Sequence, residues 1–182
     1  MEITDQQLIA QALQGSLQAW EALVRRHEAR IYNFCLRMTG DVDEAMDLMQ
    51  EVFLAIYRNL ASFRGEAQFT SWAFRIAHNK AIDMVRRRQA SVVVDLDDES
   101  FPEPVSVQHG PAEQLQTVQQ NRRIQQMLQQ LSVEQRRVVE LKVYQSMTFD
   151  EIAELECISP NTAKTRFYAA LRKLKGVMES SP

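Results

Sequence analysis

Apolar residues recur at three- and four-residue intervals along most of this chain, and the interruptions fall where helices start and stop. Thr4 and Gln7 stand at the spacing of a capping box, and Gly15 suits the end of the short helix they open. Ser16 caps a longer helix carrying Leu17, Trp20, Leu23, Val24, Ile31, Phe34, Cys35 and Met38, which Gly40 ends. Asp41 with Glu44 opens a third, whose wide apolar surface holds Ala45, Leu48, Met49, Val52, Phe53, Ile56, Tyr57 and Leu60. Phe63-Arg64-Gly65 reads as a turn into a short loop. Thr70 or Ser71 then caps a helix containing Trp72, Phe74, Ile76, Ala77, Ile82, Met84 and Val85, ending in Arg86-Arg87-Arg88.

From Gln89 to Gly110 helical periodicity vanishes. Two prolines and five acidic residues lie there, with no Lys or Arg beyond the triple arginine, and the stretch is expected to be a linker. Fully extended it spans up to ~70 Å. A Val92–Val94 strand is conceivable but has no evident partner. Pro111 opens a helix through Leu115, Val118, Ile124, Met127, Leu128 and Leu131; Ser132 with Gln135 caps another bearing Val138, Val139, Leu141, Val143 and Tyr144. The pattern predicts an all-α chain: two small helical domains, 1–88 and 112–182, joined by an acidic linker at 89–111.

The last stretch carries the sharpest local signal. Thr148 and Glu151 form a capping box for a short helix with Phe149, Ile152, Ala153 and Leu155. Glu156-Cys157-Ile158 interrupts it. Ser159 is the next N-cap and Pro160 the first helical residue, where a missing N–H is harmless; Ile158 and Ala163 make a weak hydrophobic staple. Two helices joined by so tight a turn are a helix-turn-helix, whose second helix fits a DNA major groove. Ser159, Asn161, Thr162, Lys164, Thr165 and Arg166 crowd its N-terminal half, and Arg172, Lys173 and Lys175 follow near its end, where they suit both the helix dipole and a phosphate backbone. Cys157 stands where such a turn favours glycine, because a left-handed residue with a Cβ costs about 1 kcal/mol.

The net charge of −3 conceals an uneven distribution. Between Arg64 and Arg88 six basic residues meet two acidic ones, and from Ile158 onward five meet one, whereas Asp41, Asp43, Glu44, Asp47 and Glu51 form an acidic block with no base among them. Two basic patches point to nucleic acid and the acidic helix to a protein partner. Aromatics beside cations, as in Phe63, Arg64, Phe69, Trp72 and Arg75, suit single-stranded DNA, whose bases stack or enter pockets while cations hold the backbone; the same aromatics also suit a small helical core.

Enzymatic chemistry finds no support. There is no nucleophile–base pair, no glycine-rich phosphate loop and no metal-ligand spacing; His27, His78 and His109 are isolated, and Cys35 and Cys157 lie far apart in different predicted domains, with a buried thiol as the expectation for both. Neither cofactor nor metal is expected. With no leader and no apolar run of membrane-spanning length, a cytoplasmic protein without membrane insertion is expected.

Three stretches resemble one family. Asp43–Phe53, DEAMDLMQEVF, is similar to the core-polymerase-binding helix of bacterial RNA polymerase sigma factors of the extracytoplasmic-function (ECF) group within the sigma-70 family. Phe63–Arg88, FRGEAQFTSWAFRIAHNKAIDMVRRR, resembles the family's segment that opens and reads the −10 promoter element, and Leu131–Leu174 its −35-reading domain.

The resemblance implies that Asp43, Asp47, Gln50, Glu51 and Phe53 face the polymerase's largest subunit. It implies that Phe63, Arg64, Phe69, Trp72, Arg75 and Asn79 serve −10 DNA, with a base flipped out of the duplex, while Lys80, Arg86, Arg87 and Arg88 lie along its phosphates. The helix from Ser159 then enters the −35 major groove, through Asn161, Thr162, Lys164, Thr165 and Arg166, with Arg172 and Lys173 further along. Relatives often carry arginines where this chain has Ala169 and Leu171, and glycine at Cys157. The implied partners are core RNA polymerase, promoter DNA and, as for many relatives, an anti-sigma factor. The rival reading is a conventional helix-turn-helix regulator with an N-terminal sensing or dimerisation domain, which leaves the Asp43–Phe53 block unexplained.

Overall fold

The computed structural model describes residues 3–92 and 123–179. The predicted linker lies almost wholly outside the described residues, as do His109 and the helix start at Pro111. All regular structure within them is helical. The helices are α1 (Asp5–Leu13), α2 (Leu17–Thr39), α3 (Val42–Asn59), α4 (Phe69–Val92), α5 (residues 123–129), α6 (Val133–Val139), α7 (Phe149–Glu156) and α8 (Pro160–Glu179). They divide into two compact units: one carries α1, α3, α4 and most of α2, the other α5 to α8.

In the first unit each helix buries one stripe. Leu23, Ile31, Phe34 and Cys35 of α2 meet Ala45, Leu48, Val52 and Ile56 of α3 and Phe69, Ala73, Phe74, Ala77 and Ala81 of α4 in a shared core. Phe34 and Phe74 meet edge to face at 5.7 Å. The reciprocal Thr4–Gln7 box closes the start of α1, and Gly15, at φ +93°, makes the left-handed turn into α2. Asp5 ties α1 to α2, accepting from Arg26 at 2.7 Å and lying 2.9 Å from His27 Nε2. Asp41 Oδ1 accepts the Glu44 amide at 2.9 Å and so caps α3 alone, because the Glu44 carboxylate turns to Arg88 instead.

Two boundaries differ from the sequence pattern. α4 begins at Phe69, so Thr70 and Ser71 lie inside its first turn instead of capping it. It also continues through Val92, past the point where apolar periodicity stops. Helical hydrogen bonding propagates residue by residue once started, and needs no apolar stripe to do so.

The second unit is a four-helix arrangement in which Phe167 of α8 bridges two patches of core. On one side lie Leu128, Leu131, Val139 and Ala170; on the other, Val138, Leu141, Ile152 and Ala163, with Phe149, Leu155 and Ile158 packed against them. Capping boxes at Ser132–Gln135 and Thr148–Glu151 start α6 and α7. α6 widens into a π turn over Glu140–Tyr144, which turns Val143 outward to solvent although the periodic pattern counts it among the apolar positions. The Arg136 side chain is buried and donates from Nε to the Leu128 carbonyl at 3.0 Å, satisfying a helix-end acceptor of α5.

α7 stands between two residues with positive φ, Ser146 at +55° and Cys157 at +54°, neither of them glycine. Cys157 adopts the left-handed conformation that its position demands, and the Ile158 amide closes the turn on the Ala153 carbonyl at 3.0 Å. Its thiol is exposed, contrary to the expectation of a buried one, because the left-handed cap projects the side chain outward; Cys35 is fully buried. A second anchor is ionic. Arg137 Nη2 lies 2.5 Å from Glu156 Oε2, whose side chain is 1% exposed, and this pair fastens the end of α7 to α6.

Replacing Cys157 with glycine removes the Cβ penalty and is expected to stabilise this unit by about 1 kcal/mol, read as a rise in thermal midpoint. Glu156→Ala strands the Arg137 guanidinium and is expected to destabilise it by about 3 kcal/mol in urea unfolding. An unchanged midpoint in the latter would mean that the pair contributes nothing.

Candidate nucleic-acid interface

On α8 the Ser159 hydroxyl accepts the Thr162 amide at 3.0 Å, and Pro160 occupies the first turn. Asn161, Lys164, Thr165, Tyr168, Leu171, Arg172 and Lys175 share one open face, at the intervals of a single helical stripe. Of the residues expected from the sequence, Asn161, Lys164, Thr165 and Arg172 lie on this face and Lys173 is exposed beside it. Thr162 and Arg166 do not join it. The Thr162 hydroxyl stays 2.8 Å from Ser159 Oγ within the cap. Arg166 is half-buried and its charge acts on Glu134 at the start of α6. The Glu134 carboxyl is held below the usual carboxylate range by its own backbone amide first, then by Ser132 and the charges of Arg137 and Arg166, against partial burial that raises it.

Sequence reading missed Tyr168, which is 56% exposed in the middle of the open face. Its signal was available: it falls four residues after Lys164 and seven after Asn161. Phe149 stacks edge-on with Phe167 at 5.6 Å and lies 6.0 Å from Lys164 Nζ, so an α7 aromatic helps to orient a cation of the open face.

In the first unit, Phe63, Phe69 and Trp72 form an aromatic triangle with ring centroids 5.3 to 5.8 Å apart. Phe69 is 5% exposed and stacks on His27 at 5.1 Å, so it supports the other two rings from beneath; a buried ring offers no face to a base. Phe63 and Trp72 are half-buried, and Arg64 to Gln68 are exposed, with Gly65 at φ +73° turning the loop. A shallow cleft of about 470 Å³ adjoins the loop, lined by Phe63, Gln68 and Thr70 on one side and by Thr4, Asp5 and Arg26 on the other.

The cations of α4 fall on two sides. Trp72, Arg75, Asn79 and Arg86, spaced by three, four and seven residues, share the outer side, where the three polar residues are exposed. Lys80 and Arg87 occupy the flank toward α3. Arg87 Nη2 lies 3.1 and 3.2 Å from the two Glu51 oxygens, Lys80 Nζ lies 4.0 Å from Glu51, and Arg88 pairs with Glu44.

The acidic block of α3 divides in the same way. Asp43, Asp47 and Gln50 are exposed on its open side together with Met46, Leu54 and Tyr57, whereas Glu44 and Glu51 line the seam with α4. Phe53 turns to the α2 side, where it meets Trp20 edge-on at 6.4 Å. Met46 and Leu54, the latter 55% exposed, are further positions that sequence reading passed over. Among the described residues no cluster of ligating side chains suits a metal ion, and no helix is long and apolar enough to cross a membrane.

Comparison with known proteins places both units. Residues 23–91 match the family model for sigma-70 region 2, and residues 121–174 match that for sigma-70 region 4. The chain belongs to the ECF group of the sigma-70 family. It is similar to the ECF RNA polymerase sigma factor SigW of Bacillus subtilis, 31% identical across 95% of this chain and 97% of the relative. Similarity extends to RNA polymerase sigma factor CarQ of Myxococcus xanthus, 31% identical over 91% of this chain and 94% of that one. Among solved structures, RpoE of Bartonella quintana, in complex with the anti-sigma factor NepR, shares the fold at a TM-score of 0.67 and 21% identity, covering 91% of this chain and 100% of that one. CnrH, solved with the cytosolic domain of CnrY, does so at 0.64 and 24%, covering 98% and 99%. The region 2 match thus takes in the α3–α4 seam of this sigma factor, and the region 4 match its helix-turn-helix. A regulator with a separate sensing domain is not what these matches describe, since both sigma regions lie on one chain. The relatives it matches are RNA polymerase sigma factors.

Proposed function

We propose that this sigma factor binds core RNA polymerase through the open side of α3, reads the −35 element as duplex DNA with α8, and holds the −10 element as melted single strand with the Phe63–Trp72 loop and the outer side of α4. The observation that carries the reading is the open face of α8. A capped helix presents Asn161, Lys164, Thr165, Tyr168 and Arg172 along one stripe, and such a helix reads a duplex from the major groove without opening it. Melted DNA needs a different tool. Unpaired bases must be trapped at a cost of a few kcal/mol of lost stacking, and Phe63 and Trp72 beside an exposed loop serve that purpose, with Arg75, Asn79 and Arg86 along the strand.

The mixed apolar and acidic side of α3, with Met46, Asp47, Gln50 and Leu54, suits a protein partner better than nucleic acid, since its carboxylates repel phosphate. Two modest DNA contacts on one chain gain affinity from each other once both are positioned, which makes the free protein a weak DNA binder and the polymerase-bound one a specific reader. An anti-sigma factor is a further partner under this reading, as NepR is for RpoE.

Run-off transcription with core polymerase and a promoter library tests the whole reading. Initiation from defined start sites is the expected result, and its absence on every template overturns it. Asp47→Lys, on the open side of α3, is expected to lower affinity for core polymerase about tenfold or more with helix content unchanged, as measured by competition against a second sigma factor. Lys164→Ala or Tyr168→Ala is expected to cost about 1–3 kcal/mol in −35 binding and to alter sequence preference there, while templates melted in advance at −10 remain equally well bound.

A further inference from the structure

We infer that the Glu51–Arg87 contact is a built-in brake on DNA binding, which links the polymerase-facing helix to the −10-facing one. The inference rests on the assignment of α4 to DNA proposed above. Three of the cations expected along the −10 phosphates, Lys80, Arg87 and Arg88, are partly exposed, yet all three meet carboxylates of α3. Glu51 gathers two of them, with both oxygens within 3.2 Å of Arg87 Nη2 and one at 4.0 Å from Lys80 Nζ. Arg86, on the outer side, makes no ion pair among the described residues. The same run of arginines is therefore split into one cation presented outward and two engaged by α3.

A phosphate drawing on Arg87 competes directly with the Glu51 carboxylate for the same guanidinium donors. A protein partner that engages Glu51 competes for the same contact from the other side. Whichever arrives first breaks the pair, and the second then binds without that cost, so the two events favour each other by an equal factor in both directions. The side chains are about half-exposed, so the factor is modest and weakens with salt. It acts through Arg87, the neighbour in sequence of the outward Arg86, and requires no movement of either helix.

The test uses the full-length chain and a fluorescein-labelled oligothymidylate, with anisotropy titrations at low and at high ionic strength. Glu51→Gln is expected to tighten binding by about two- to fivefold at low salt. The gain is expected to vanish at high salt and in an Arg87→Ala background. Asp47→Asn removes the same charge from the open side of α3, where Asp47 makes no ion pair among the described residues, and is expected to give a smaller gain that survives Arg87→Ala. Equal gains from Glu51→Gln and Asp47→Asn, or a Glu51→Gln gain that persists without Arg87, overturn the brake and leave the DNA assignment standing. If Arg86→Ala and Arg87→Ala both leave binding unchanged, the DNA assignment of α4 fails and the brake fails with it. Circular dichroism on each variant establishes that helix content is retained.

Discussion

Packing of α3 against α4 is the constraint on which the first unit depends. Ala73, Ala77 and Ala81 recur every four residues along α4 and are all buried, a ridge of small side chains that lets a neighbouring helix approach closely. α3 supplies the larger Leu48, Val52 and Ile56 to fill the space. Once those stripes are fixed inward, the remaining positions of both helices have no freedom. Glu44 and Glu51 must border α4, Lys80 and Arg87 must border α3, and only the two far sides remain open to partners. Functional surfaces in so small a unit are what burial leaves over.

The second unit meets a different demand, since a reading helix is useful only if its angle is fixed. Three kinds of contact fix it. Phe167 and Ala170 pack α8 onto α5 and α6, the turn at Cys157 is closed by the Ile158 amide, and the Arg137–Glu156 pair anchors the end of α7 that enters this turn. A buried pair of that kind adds little net stability compared with apolar packing, but it has a defined geometry where apolar contacts tolerate sliding. With the end of α7 held in this way and its start packed through Phe149 on Phe167, Phe149 can serve α8 from a constant position.

Much of this was legible in the sequence, and the reasons are local. Capping boxes at Thr4, Ser132 and Thr148 and the cap at Ser159 involve residues three apart, so spacing alone finds them. The all-α class followed from periodicity in the same way. What the residues could not disclose was which of two similar side chains faces which neighbour. Glu51 and Asp47 look alike in the acidic block, yet a rotation of roughly 40° around the helix puts one in a seam and the other in solvent. Arg166 sits among the polar residues of α8 but is half-buried and off the open face. Phe69 was grouped with the aromatics beside DNA, and His27, distant in sequence, holds it in the core. The start of α4 was misplaced because Thr70 and Ser71 are good caps that the chain does not use.

The left-handed residue at the elbow of the helix-turn-helix has a practical side. Glycine there would leave nothing to address chemically, whereas Cys157 offers an exposed sulfur at the hinge of the DNA-reading element. The chain's other thiol, Cys35, is sealed in the core of the first unit, and the sequence contains no third. A maleimide dye or nitroxide applied to the unaltered protein therefore marks a single defined spot, next to the reading helix, without any engineered residue.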